Sequence, residues 1–267
     1  MIQQPDRSLP EDRDSRTRLK LKLISCEVLY REICFAVSRS PHQVDLEFLP
    51  KGLHDIGCAG MRGRLQTAID QVNTTQYDAL LLGYGLCNYG ITGLSCRDIP
   101  LVVPRAHDCM TLFFGDKGKY MEYFEKNPGT YFLTSGWLER GEATGELRQL
   151  SIQHETGMDL SYEALVERYG EDNARYLYDQ LCDQTRHYSR ITFLEMGVEP
   201  DDRFQRQARE KAGSHNWSFE SIRGDMRLIL NLVDGKWDEE DFLVLRPGEK
   251  VAVSHDGSII AAQEGEA

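Results

Sequence analysis

Residues 77–115 read YDALLLGYGLCNYGITGLSCRDIPLVVPRAHDCMTLFFG, and two short apolar runs inside them, 79–82 and 101–103, decide the fold. Neither run alternates with polar residues, and each is bounded by Gly or Pro. A strand buried on both faces reads this way, as in a parallel sheet covered by helices. A polar, sulfur-bearing loop follows each run. The first is Gly83-Tyr84-Gly85-Leu86-Cys87-Asn88-Tyr89-Gly90 and the second is Pro104-Arg105-Ala106-His107-Asp108-Cys109. In open α/β sheets, ligands bind beyond the carboxyl ends of the strands. Cys87, His107 and Cys109 are therefore expected in one crevice, and their chemistry points to a metal.

Upstream, residues 19–25 predict a first strand with Cys26 at its end, and 27–37 a helix with Val28, Ile33 and Val37 near helical spacing. Residues 44–49 predict a second strand and 61–72 a second helix, with Leu65, Ile69 and Val72 on one face. The order β-α-β-α-β implies right-handed crossovers and a parallel sheet. Downstream, helices are expected at 107–114 and 117–126, then a strand at 130–133. A long helical pattern fills 161–187 and breaks at Gly170. Strands at 190–196, 217–222 and 242–245 alternate with helices at 201–211 and 226–233, and 251–260 predicts a strand pair around Asp256-Gly257. The expected fold class is α/β, three-layered, with a mostly parallel sheet and helices on both faces. Residues 1–18 are polar and read as a disordered arm; 19–150 reads as a first α/β lobe carrying the Cys/His site, and 151–267 as a second α/β lobe.

The chain has 267 residues, a formal net charge of −12 and 40% hydrophobic content. That is enough to bury a sizeable core. The acidic balance disfavours nucleic acid and anionic membranes as partners. No run approaches the ~18 apolar residues of a membrane span. The opening residues look like neither a signal nor a transit peptide, so the expected location is the cytosol. There, an odd count of seven cysteines suits metal binding or thiol chemistry better than a disulfide framework.

Zn²⁺ takes Cys and His ligands, and three protein ligands leave the open position of a catalytic site. Cys87, His107 and Cys109 are the first candidate set. Cys26, His54 and Cys58 each follow a predicted first or second strand, and either complete that site or form another. An iron–sulfur cluster is the variant, because several cysteines fall at strand ends. Gly83 and Gly85 permit close backbone approach to a bound ligand, and Arg105 offers a group for a carboxylate or phosphate. Asp108 reads either as an orienting partner or as a helix cap. Cys34 and Cys182 fall in helical apolar patterns, and Trp137 and Trp217 read as core aromatics. The competing reading is that Cys87 and Cys109 are small buried hydrophobes.

In LISCEVL around Cys26, LGYGLCNYG, VPRAHDCMTLFFG and GTYFLTSGW, the sequence resembles the domain-of-unknown-function family 1638. A weaker likeness extends through GDMRLILNLVDGKWDEEDFLVLRPG. Such proteins look like neighbours of corrinoid-dependent methyl-transfer systems. The resemblance implies a metal-dependent methyl transfer to or from a thiol, with a corrinoid protein or a thiol substrate as partner. Zinc methyltransferases that serve corrinoid proteins are similar in using a His-x-Cys element with a distant Cys, although here the lone Cys comes first. The alternatives are a non-catalytic accessory module binding a metal, iron–sulfur cluster or corrinoid, and a thiol redox protein using Cys87 and Cys109.

Overall fold

The computed structural model describes residues 18–140, 145–156, 158–178 and 187–265. Of the expected arm only Arg18 falls among them, and Cys182 lies outside them. The first half runs β1 (Lys20–Cys26), α1 (Tyr30–Val37), β2 (Gln43–Leu49), α2 (Gly57–Asp70), β3 (Ala79–Gly83), β4 (Leu101–Pro104), α3 (Cys109–Phe114), α4 (Lys117–Lys126), β5 (Thr130–Leu133) and α5 (Ser135–Glu139). Four short helices follow: α6 (Gly145–Gln149), α7 (Ile152–Thr156), α8 (Tyr162–Tyr169) and α9 (Glu171–Leu177). The rest is β6 (Arg190–Glu195), α10 (Arg203–Ser214), β7 (Ser218–Arg223), α11 (Arg227–Val233), β8 (Phe242–Leu245), β9 (Glu249–Val253) and β10 (Ile260–Glu264). Gly170 does separate α8 from α9, at φ +78°.

Among the described residues the main sheet has the order β2-β1-β3-β4-β8. Its first four strands are parallel; β8 returns antiparallel to β4, with Leu101 opposite Leu245. Every residue of β3 and β4 is buried, as two-sided coverage requires. Leu80, Leu81 and Leu82 have no exposed surface, and each such leucine contributes roughly 2–3 kcal/mol by leaving water. The chain steps from β1 outward to β2, then back past β1 to β3. With right-handed crossovers, that reversal puts α1 and α2 on opposite faces. It also creates a switch point between the carboxyl ends of β1 and β3, where open α/β sheets hold ligands. The register sets Ser25 opposite Gly83, so Cys26 and Tyr84 leave the sheet side by side.

A second parallel sheet has the order β5-β6-β7. Helix α10 packs on β6 and β7, burying Phe204, Ala208 and Ala212 at helical i, i+4, i+8 spacing. The strands are not divided between the sheets at residue 150: β5 pairs with β6, and β8 pairs with β4. An apolar run signals burial but not pairing direction or sheet membership, so this exchange was not legible. Strands β9 and β10 form the expected hairpin.

Helix α1 buries one charge-capable group, Glu32, which has no exposed surface and no hydrogen-bond partner for either carboxyl oxygen. Burial, reinforced by nearby Glu199, raises its pKa to about 8. It is therefore protonated in the fold at pH 7 but ionised in the unfolded chain above its ordinary ~4.3. The unfolded state binds fewer protons in that window, so stability is full below pH ~4 and falls as pH rises towards 8. Glu32→Gln should flatten this decline, which is on the order of 3 kcal/mol. Denaturant unfolding of both proteins from pH 5 to 8 checks it; parallel profiles would refute the assignment.

Candidate functional site

The loop after β3 folds back over the loop after β4. Leu86 N–H donates to the Ala106 carbonyl at 2.8 Å, and Cys87 N–H to the His107 carbonyl at 2.9 Å. Gly85 makes this approach feasible: a Cβ there would stand 2.7–2.8 Å from the Asp108 backbone. Gly83 likewise makes room for the Ser25 side chain. The space these glycines leave is thus filled by protein, which accounts for them without the ligand expected from the sequence.

Cys87, Asn88 and Tyr89 all adopt left-handed backbone, with φ of 45°, 55° and 66°. For side chains other than glycine this costs of order 1–2 kcal/mol per residue. Such strain concentrates at functional sites, where surrounding structure holds it. Here it turns the Cys87 thiol into the crevice.

Cys109 opens α3. Asp108 caps that helix, accepting from Met110 N–H at 2.9 Å and Thr111 N–H at 3.3 Å, while its other oxygen accepts the Tyr120 hydroxyl at 2.9 Å. Of the two sequence readings of Asp108, the cap is the one formed. His54 sits in the turn after β2, with Nε2 3.6 Å from Cys26 Sγ. Cys26, Cys87 and Cys109 are buried and close enough for their charges to interact. Four separate loops therefore deliver three thiols and one imidazole to the β1/β3 switch point.

Two expected donors do not join them. His107 is exposed and contributes its carbonyl rather than its ring, because helix α3 begins at Cys109 and ends the extended alternation that would have kept residues 107 and 109 on one side. Cys58 is exposed on the first turn of α2. Arg105 is committed to main-chain carbonyls of Glu239, Ser258 and Ile260, tying the β4 edge to the C-terminal hairpin. Cys34 is half-buried on α1, and Cys96 is buried beside a separate small pocket with Ile69 and Arg97.

Above the thiols lies a cleft of about 570 Å³. His54, Cys87, Asp108 and Cys109 lie along it, and Tyr120, Phe124, Tyr131, Phe132, Trp137 and Tyr188 supply aromatic walls. Trp137 arrives on α5 because Gly136 packs against the Val28 carbonyl with no room for a Cβ. Two buried donors are orphaned: Tyr84 Oη and Trp137 Nε1 lack partners of ordinary hydrogen-bond geometry. Both face sulfur, Tyr84 that of Cys26 and Trp137 that of Cys109, and each lowers its neighbour's pKa. Trp137 packs against the core as the sequence suggests; its place beside Cys109, and that of Tyr84 beside Cys26, depends on tertiary packing that no motif in GTYFLTSGW or LGYGLCNYG announces.

Burial dominates the electrostatics. It raises Cys26 to about 12 and pushes Cys87 and Cys109 well above the ordinary thiol range; the charges acting on those two are other thiols and Asp108, which raise them further. Lys51 acts the other way on Cys26. Burial and then Lys51 lower His54 to about 4, so its imidazole is neutral at pH 7 with a lone pair available to a ligand. As they stand, among the described residues, no three His, Cys, Asp or Glu side chains are arranged to hold a metal ion.

The fold and site define an α/β protein with a thiol-lined, aromatic-walled cleft at the switch point of a parallel sheet. Residues 48–233 match the family model described as protein of unknown function (DUF1638), and the chain belongs to that family. No curated protein and no solved structure matches the chain. Among the described residues, no helix is long and apolar enough to cross a membrane.

Trp137→Phe keeps the ring but removes the N–H that favours the Cys109 thiolate. Alkylation of Cys109, followed by mass spectrometry across pH 7–10, should slow several-fold at every pH. An unchanged profile would mean that the indole N–H does not act on the sulfur.

Proposed function

We propose that Cys26, His54, Cys87 and Cys109 bind a metal ion, zinc in the first instance, and that the site serves methyl transfer to or from a thiol or a corrinoid carrier. One observation carries this reading: three buried thiols and a neutral imidazole arrive from four loops at the ligand-binding edge of the sheet, beneath a cleft. The donors fit zinc in kind, since Cys and His are its usual ligands. The orphaned Tyr84 and Trp137 donors suit sulfurs that carry negative charge. Positions fit less well, because among the described residues no three donors converge. A bound zinc supplies a thiolate at neutral pH from a thiol that burial otherwise keeps protonated. The chain's own residues bury that sulfur, orient it through the strained turn at 87–89 and face it towards the cleft. The proposed setting is the cytosol, where thiols remain reduced.

A second reading is a thiol redox protein using Cys87 and Cys109 without metal, supported by thiols close enough for Cys87 to raise the pKa of Cys109. The non-catalytic accessory reading differs in one respect: four protein ligands would close the site, whereas catalysis requires one to give way to substrate.

Cys26→Ser and Cys109→Ser should each lower zinc affinity by more than tenfold, because a serine hydroxyl is a poor ligand for this ion. His107→Ala and Cys58→Ser, at exposed positions, should retain it. Zinc stoichiometry after dialysis, with circular dichroism to confirm folding, separates the readings. Parent-like retention by folded Cys109→Ser would overturn the metal site and leave the dithiol.

A further inference from the structure

We infer that the aromatic-walled cleft is the binding site for a compact organic cation, a quaternary ammonium or sulfonium head group bearing small alkyl substituents. This names the substrate class for the site proposed above; it rests on that reading for any reaction, but not for the binding.

The walls carry the argument. Tyr120, Phe124 and Phe132 form one group of rings, with Tyr120 to Phe124 and Tyr120 to Phe132 centroids 6.1 and 6.0 Å apart. Tyr131 and Tyr188, which also line the cleft, meet edge to face at 5.1 Å. Aromatic faces carry partial negative charge and attract alkylated ammonium groups, which shed water cheaply. Phe124 remains nearly half exposed although it belongs to a packed aromatic group, which leaves ring surface for a ligand.

Charge complementarity points the same way. Asp108 is the carboxylate along the cleft, and no Lys or Arg lines it among the described residues. Besides the imidazoles of His54 and His187, the described lining offers an anionic ligand no guanidinium or ammonium to offset the Asp108 carboxylate. Two of the rings already attract cations: Lys211 Nζ lies 5.0 Å from the Tyr131 ring and Lys51 Nζ 5.1 Å from the Trp137 ring. Neither lysine lines the cleft. Among the described residues, Tyr120, Phe124, Phe132 and Tyr188 have no such cationic partner. A volume near 570 Å³ is in the range of small-ligand pockets.

Choline and its uncharged isostere 3,3-dimethylbutan-1-ol isolate the charge, since they share shape and hydroxyl. Calorimetric titration of the full chain should show choline binding at least tenfold more tightly. Phe124→Leu, a half-exposed position with little risk to folding, should reduce choline affinity several-fold and leave the alcohol nearly unaffected. Equal affinities, or no binding of choline at millimolar concentration by folded protein, would overturn the inference. Because the titration needs no metal, that failure is distinct from a failure of the zinc measurements. Preference for choline in a protein that keeps no zinc would sink the metal reading alone.

Discussion

The site depends on one close crossing: the loop after β3 lies on the loop after β4, held by the bonds from Leu86 and Cys87 N–H to the carbonyls of Ala106 and His107. Gly85 permits the contact, and any side chain there would separate the loops. The crossing carries Cys87 over the switch point between β1 and β3 and brings it near Cys109. It also imposes left-handed backbone on three successive residues that are not glycine. The packed strands beneath offset that cost. Each buried leucine of β3 contributes as much as the strain of one such residue or more.

The second constraint is desolvation. Among the described residues, the three thiols of the buried corner have no cationic side chain acting on Cys87 or Cys109, and each makes ionisation of the next harder. As simple nucleophiles they would be inert at neutral pH, because reactive cysteines sit in electropositive surroundings. Yet the corner is furnished for charged sulfur, with a phenol and an indole N–H facing it without other partners. On the proposed reading, a soft or borderline cation would reconcile the two facts. It would satisfy the thiolates, and the two donors would then have charged acceptors.

Much of this was legible in the chain. The apolar runs at 79–82 and 101–103 announce buried strands, and the alternation before them announces parallel crossovers. From these the carboxyl edge follows, with Cys87 and Cys109 expected on it and Cys26 either joining them or forming another set. The sequence named two candidate histidines, His54 and His107, and the structure places them differently. His107, two residues before Cys109, looked like a ligand by spacing, but the start of α3 between them turns the ring to solvent. His54 reaches Cys26 from a turn 28 residues away, a contact that depends on the pairing of β1 with β2 and not on any local spacing. The aromatic cleft was illegible for a similar reason. Its walls come from α4, β5, α5 and the segment before β6, and β5 belongs to the second sheet, which no apolar run distinguishes from the first.

The central claim is that Cys26, His54, Cys87 and Cys109 act on one ion. Zinc K-edge X-ray absorption on protein loaded with one equivalent of zinc tests it most directly. The account predicts three sulfur scatterers at ~2.3 Å and one nitrogen at ~2.0–2.1 Å. A first shell of only nitrogen and oxygen would contradict it, as would fewer than two sulfurs per zinc.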